Sequence, residues 1–272
     1  MNEFLPSFAR QFRPVDLAQV EGRAALSVRT DRKYILDTTT FARLAGRLAE
    51  DHLALEVGGQ RLRAYDSIYF DTPDLSSYRD HLQGRRRRFK CRTRLYVDGG
   101  RCFFEVKLKG ARGETVKRRL EVPAAAHGEL LRVARRFLRV ELNAAYGLEA
   151  PGALDSTVAT SYTRLSLVAV NERERVTCDF DLALRSGHER HEILPGQVLV
   201  ETKTVLGNGV ADRELRRLGV RPVESCSKYC LGVALTHADV RDNSFRRLIR
   251  RHFRRPDALG QPRCAPVFAE GL

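Results

Sequence analysis

The sequence predicts an α+β fold in which eight antiparallel strands close into a β-barrel with a charged lumen and helices packed outside. Three observations lead there. Strand-like runs rich in Val, Ile, Tyr, Phe and Thr recur with mostly short connections, which favours antiparallel pairing. Amphipathic helical stretches are inserted among them. Successive strands carry their charges at one parity and their apolar residues at the other, and side chains at i, i+2 and i+4 share one face. The helices must cover the apolar face, so the charged face turns inward, and closure removes the exposed edges.

Pro14–Val20 reads as a short helix with Pro14 in its first turn. VRTDRKYIL (28–36) has strand composition, and DTTT caps a helix running to about Leu53 with Phe41, Leu44, Ala45 and Leu48 on one face. AYDSIYFDT (64–72) is the second strand, ended by Pro73, and SSYRDHL is a helical turn. Strands at 86–97 and 101–109 meet at Asp98-Gly99-Gly100, a hairpin signal, and ETVKRRLEV (114–122) follows the Gly110–Gly113 turn. A helix from Glu129 to Leu142 presents Leu130, Leu131, Ala134, Phe137 and Leu138 as its stripe. Strands at 158–170, 174–184 and 197–204 complete the set. A short helix (212–218), SKYCLGVAL (227–235) and the basic amphipathic helix RDNSFRRLIRRHFRR, with Phe245, Leu248, Ile249 and Phe253 inward, end the chain. The expected organisation is an N-terminal helical segment (1–27), a barrel domain (28–236), and a basic C-terminal helix and tail (237–272).

A net charge of +14 calls for a polyanionic partner: nucleic acid, an acidic membrane surface or phosphate-rich small molecules. Only seven of the 48 basic residues are Lys, and six of these fall in strand-like segments, the seventh in SKY. In a chain so biased to Arg, lysine persists where a compact point charge serves better than a planar fork. No apolar run is long enough to span a bilayer, and the opening MNEFLPSFARQFRP has no continuous apolar stretch, so neither a membrane span nor a secretory signal is expected. The six cysteines show no CxxC pair, and reduced thiols in a cytoplasmic protein are expected, with Cys226 and Cys230 packing as small hydrophobes. HERHE (188–192) is not HExxH and is expected as exposed turn polars; the absence of GxxxxGK[ST] excludes a P-loop.

The charged parity holds Arg29, Asp31 and Lys33 in the first strand, Arg86, Arg88, Lys90, Arg92 and Arg94 in the third, and Glu105, Lys107 and Lys109 in the fourth. Lys117, Arg119 and Glu121 follow in the fifth, Arg175, Asp179 and Asp181 in the seventh, and Glu201 and Lys203 in the last. Enclosing that many cations is costly unless anions neutralise them. A minority of carboxylates among them suits Mg²⁺ or Mn²⁺, which take one or two protein carboxylates beside substrate phosphates. The pattern points to a triphosphate or a longer phosphate chain.

The motifs Asp31-x-Lys33-Tyr34, SIYFDT, Arg92-x-Arg94-x-Tyr96, FFEVK, VKRR, SYTR, VLVETK and SKY occur in an order that resembles VTC domains, the polyphosphate polymerase domains of the triphosphate tunnel metalloenzyme superfamily. The resemblance implies an eight-stranded tunnel that extends inorganic polyphosphate from ATP with a divalent metal, usually Mn²⁺. It implies phosphate ligands at Lys33, Arg92, Arg94, Lys107, Lys117, Arg164 and Lys228, a metal-binding Glu201, a second carboxylate at Glu105 and a further phosphate contact at Arg175. Arg88, Lys90, Lys109 and Lys203, on the same parity, join the substrate-binding set. Of these, Lys33, Arg92, Arg94, Lys107 and Lys228 are the candidates to act on the transferring group. Hydrolytic tunnel enzymes carry a fuller glutamate motif than Asp31-x-Lys33, which favours polymerase over hydrolase. The rivals are a tripolyphosphatase or nucleoside triphosphatase on the same fold, and a non-catalytic polyphosphate- or nucleic-acid-binding module. Specific nucleic-acid binding is not expected, because the cationic parity of strands 86–94 and 105–109 holds no aromatic for stacking. The C-terminal basic helix either packs on the barrel or makes a peripheral contact with the inner face of a membrane.

Overall fold

The computed structural model describes residues 4–23, 30–111, 113–170, 174–205, 207–224 and 226–254. Arg29, Val28, Cys264 and the tail from 255 lie outside them. In chain order the elements are α1 (Phe4–Arg10), β1 (Arg13–Val15), α2 (Leu17–Arg23), β2 (Thr30–Asp37), α3 (Thr38–Leu48), β3 (His52–Leu55), β4 (Leu62–Asp71) and α4 (Ser76–Leu82). Then come β5 (Phe89–Tyr96), β6 (Arg101–Lys109), β7 (Thr115–Val122), α5 (Arg132–Tyr146), β8 (Asp155–Ala169), β9 (Glu174–Ser186) and β10 (Glu189–Glu192). The last elements among the described residues are β11 (Gln197–Thr204), α6 (Val210–Arg217), α7 (Lys228–Thr236) and α8 (Arg246–His252).

The eight expected strands form one hydrogen-bonded path in the order β2-β11-β9-β8-β4-β5-β6-β7, antiparallel at every step. The sheet does not close. β7 and β2 are its two ends, so the expected barrel is an open, curved sheet with a groove on its inner face. The two edges are both strongly cationic: β7 carries Lys117, Arg118 and Arg119, and β2 carries Arg32 and Lys33. The outer edge of β2 is also occupied: the Val223 N–H donates to the Lys33 carbonyl at 2.7 Å. A Lys- and Arg-rich strand is, in turn, a tolerable free edge.

The outer face buries the apolar parity as expected. Phe41, Leu44, Ala45 and Leu48 of α3 pack on Tyr34, Leu36, Val176, Cys178, Val198 and Val200, with Phe41 edge-on to Phe8 and Phe180. Each of the Phe, Leu and Val side chains contributes about 1.5–3 kcal/mol on burial. At the other end of the sheet α5 lays Ala134, Leu138 and Leu142 on Phe104, Val106 and Leu108. The inner face is filled at one end by α7, whose Tyr229, Cys230, Leu231 and Val233 meet Tyr69, Tyr162, Leu182 and Leu199. Cys226 and Cys230 are buried there among apolar neighbours, as expected of small hydrophobes.

Other expectations are corrected. Pro14 lies in β1, and the following helix begins after Asp16, whose Oδ1 accepts from Gln19 N–H at 2.7 Å. The helix from Thr38 ends at Leu48 and not Leu53, because His-Leu-Ala-Leu alternates buried and half-buried and pairs with β1 and β8 as β3. The third strand starts at Phe89, which leaves Arg86 and Arg88 ahead of it. HERHE supplies the short strand β10 on β9, with His191 buried. Asp181 has φ 52° where the β8–β9 register shifts, and this bulge turns it out to solvent, away from the face that Asp179 shares. The last helix spans Arg246–His252 only; Phe245, Leu248 and Phe253 are buried against the α7 cluster, so its apolar face is already used by the protein and is not offered to a membrane. Among the described residues no helix is long and apolar enough to cross a membrane.

Candidate functional site

Strand registers decide which side chains meet. Lys33 pairs with Glu201, Asp31 with Lys203, Arg92 with both Tyr69 and Glu105, Lys90 with Lys107, and Lys107 with Lys117. All of these therefore share the inner face. There all of them but Glu105 line a cavity of about 360 Å³ that also receives Arg88, Arg94, Lys109, Arg164 and Lys228. Its walls hold eleven Lys and Arg against two carboxylates, Asp31 and Glu201. Twelve of the fourteen expected site residues are brought together in it.

The other two stand apart. Arg175 is not among the lining residues; its guanidinium donates to the Val20 carbonyl at 3.1 Å. Glu105 is fully buried beneath the cavity floor. Its Oε2 accepts from Arg92 Nε and Nη2 at 2.9 and 2.6 Å, Lys117 Nζ lies 2.5 Å from Oε1, and Arg94 is at 4.0 Å. Burial alone would raise its pKa, but Arg92, Arg94 and Lys117 outweigh burial and hold it well below the usual glutamate range.

Two further carboxylates organise cations. Asp179 binds Arg164 through both oxygens, at 2.5 and 2.8 Å, and also accepts from Lys228. Burial opposes its ionisation, yet these two cations bring its pKa down to about 2. Glu201 accepts from Lys203 at 2.7 Å and lies 3.7 Å from Lys33; against burial, Lys203, Lys33 and Lys107 keep it well below the ordinary value. Lys107 and Lys90 have no carboxylate partner among the described residues. Lys90 donates to the Ser227 hydroxyl at 2.9 Å. Enclosure first, then neighbouring cations, pull both pKa values down, Lys107 the further, with Arg92 and Arg94 the cations that act on it. Water in the open groove still reaches the Lys107 side chain, which is exposed, so crowding by like charge is the cause we weigh most heavily there. A bound anion would relieve both.

Sequence reasoning missed the aromatic floor. Tyr65, Tyr69 and Tyr162 share the inner face, with Arg92 over Tyr69 at 5.3 Å, Arg94 over Tyr65 at 5.2 Å, Arg164 over Tyr162 at 5.0 Å and Lys228 over Tyr162 at 4.6 Å. The Tyr69 and Tyr162 hydroxyls accept from Arg92 and Arg94, each at 2.6 Å. The rings thus lie under the cations and orient them, which leaves them covered to a stacking base. Their signal was the i, i+4 spacing of Tyr65 and Tyr69 on one strand parity. His81 was also missed. Its Nδ1 is 2.7 Å from the Ser77 carbonyl, and burial with Lys90 and Arg88 pushes its pKa to about 3, so it sits in the cavity as a neutral ring.

Of the carboxylates, only Glu201 and Asp31 face the cavity, and no cluster of three or more His, Cys, Asp or Glu suited to a metal occurs among the described residues. This donor set fits a hard divalent ion that brings most of its ligands as phosphate oxygens and water. It does not fit a metal caged by protein alone.

A polycationic groove with sparse, ionised carboxylates suits a polyanion. The chain belongs to the VTC domain family, whose profile matches residues 28–237. A comparison with curated proteins gives no match. Among solved structures it is similar to a Bacillus halodurans protein bearing a provisional adenylate cyclase name, at 13% identity and TM-score 0.45 over 78% of this chain and 98% of that one. It is similar to a Hippeastrum protein that bears a provisional adenylyl cyclase name and is described as having a dominant triphosphatase activity, at 13% identity and TM-score 0.48 over 77% and 97%. It is also similar to a Pyrococcus horikoshii protein, at 15% identity and TM-score 0.36 over 71% and 92%. Likeness at this level says nothing of the reaction here. Family membership supports phosphoryl chemistry on triphosphates as the class of activity.

Proposed function

We propose that the protein is a metal-dependent polyphosphate polymerase that transfers the γ-phosphoryl group of ATP to the end of an inorganic polyphosphate chain. The observation that carries this reading is the inner cavity, where eleven cations face two carboxylates. In the reaction a terminal phosphate oxygen of the acceptor attacks the γ-phosphorus, a new P–O–P bridge forms, the β–γ bridge breaks, and ADP leaves. The nucleophile is ionised near neutral pH, so no protein base is needed, and catalysis rests on positioning and charge neutralisation.

In this reading Arg92 and Arg94, locked by Glu105 and by the Tyr69 and Tyr162 hydroxyls, present their forks to the chain. Lys33, Lys107 and Lys228 offset charge on the transferring group. Arg88, Lys90, Lys109, Lys117, Arg164 and Lys203 hold the phosphates on either side. Glu201 would hold Mn²⁺ or Mg²⁺, which supplies Lewis-acid neutralisation of phosphate oxygens when bound. Glu105 we assign as the counter-charge that positions Arg92, Arg94 and Lys117, since a metal there would displace all three.

Incubation with ATP and Mn²⁺ is expected to give polyphosphate ladders on a gel, and Glu201→Gln is expected to abolish them. Free phosphate without ladders would move the assignment to a triphosphatase on the same fold. Metal-independent polyphosphate binding with no turnover would make the protein a binding module.

A further inference from the structure

Arg86 and Arg87 precede β5 and, unlike Arg88, are not among the residues that line the inner cavity. They line a separate cavity of about 370 Å³ on the outer side of the sheet, between the rim of β6 and β7 and the last turn of α5. Its cations are Arg86, Arg87, Lys109 and Arg118, and its carboxylate is Glu141, which lies 3.5 Å from Arg118. Neither Arg86 nor Arg87 has a hydrogen-bond or ion-pair partner among the described residues. An arginine pair held without a counter-anion beside a third and fourth cation is poised for an external one.

Lys109 lines both cavities, the inner and the outer. The rim between them is fixed by Tyr146, the last residue of α5. The Lys109 N–H donates to its hydroxyl at 2.7 Å, and the Tyr146 O–H is shared between the carbonyls of Arg88, at 2.8 Å, and Lys109, at 2.9 Å. One phenol thus holds the two rim residues whose side chains face the inner cavity, and the same ring borders the outer one.

We propose that this outer groove is a second binding site for the phosphate chain, which takes up the segment that runs out of the inner cavity across the Lys109 rim. The proposal rests on the polyphosphate reading of the inner site. The ligand it fits is a flexible polyanion with charge at every unit and no base. Its one aromatic, Tyr146, has its hydroxyl committed to the rim, and its remaining wall at Val116, Ala144 and Ala145 is small and aliphatic, so it offers no stacking platform for single-stranded nucleic acid. A triphosphate is held within the inner cavity. Only a longer chain engages both sites, and such two-site engagement raises affinity through effective concentration.

The test is equilibrium binding of two probes, tripolyphosphate and long-chain inorganic polyphosphate, to the full chain. Arg86→Ser with Arg87→Ser is compared with Arg136→Ser with Arg139→Ser, a control that removes the same charge from exposed positions of α5 away from the groove. The groove variant is expected to weaken long-chain binding about tenfold and to leave tripolyphosphate within about twofold, while the control changes neither. Equal long-chain affinity in groove variant and wild type overturns the proposal, as does an equal loss in the control. Single-stranded RNA bound with the same Arg86 and Arg87 dependence also overturns it, in favour of a nucleic-acid surface. Failure of the functional reading is separate: wild type that makes no ladders, yet binds the long chain through Arg86 and Arg87, loses the polymerase assignment and keeps the outer groove.

Discussion

Glu105, Asp179 and Glu201 each neutralise at least two cations from different elements, so each is a joint as well as a charge. Glu105 is the most enclosed. Glu105→Gln leaves Arg92 buried without its counter-ion, and denaturant unfolding is expected to show a loss of about 3–5 kcal/mol. Asp179 gives a pH signature. Its folded pKa, about 2, is depressed from the ordinary aspartate value, so its stabilisation is present above that value and is lost as pH falls from about 4 to about 2. It contributes on the order of 2 kcal/mol, and Asp179→Asn is expected to flatten the unfolding midpoint across that window. At this scale the sequence was informative because charge parity is a strong signal: Lys33, Arg92, Lys107 and Glu201 were all placed on one face before any coordinate. It could not tell a carboxylate that faces a cavity from one beneath it. Glu105 and Glu201 look alike in FFEVK and VLVETK, and only register and depth separate them.

At the scale of elements, α7 is the piece that makes the groove one-ended. Its N-cap, Ser227, accepts from Cys230 N–H at 3.4 Å and from Lys90 at 2.9 Å, which ties the helix to β5. Ser227→Ala is expected to lower stability by about 1 kcal/mol in a thermal melt. Gly232 faces β8 so closely that an added methyl would collide with Val158, which is buried and β-branched and has no room to rotate. Gly232→Ala is therefore expected to destabilise by about 1–3 kcal/mol, against the usual gain of Ala over Gly in a helix. Strands and outer helices were legible because period 2 and period 3.6 are written in the residues themselves. The inner position of α7 was not, because its apolar residues surround the helix and name no side. Short elements escaped for the same reason: β1, β3 and β10 span three or four residues each, too few to establish a period.

For the molecule as a whole, eleven cations against two carboxylates line one groove of a chain with net charge +14, so an anion bound there is expected to stabilise the fold. Tripolyphosphate at 100 times its dissociation constant is expected to add about 2.7 kcal/mol to the unfolding free energy, seen as a rise in Tm that shrinks with added salt. Binding is also expected to take up protons. Enclosure and neighbouring cations depress the pKa values of Lys90 and Lys107, and a neighbouring polyanion raises them, so protons enter on binding. Calorimetry in buffers of different ionisation enthalpy reads this directly, and identical heats in all buffers would contradict it.

The seam between β7 and β2 has a consequence for traffic. Thr115 and Lys117 on one bank face Asp31 and Lys33 on the other across the same cavity, with no ladder of hydrogen bonds joining the banks. A closed ring accepts a polymer only by its tip. A trough accepts it broadside, so a long chain can settle into the groove in mid-length and lift out again without a free end ever passing through.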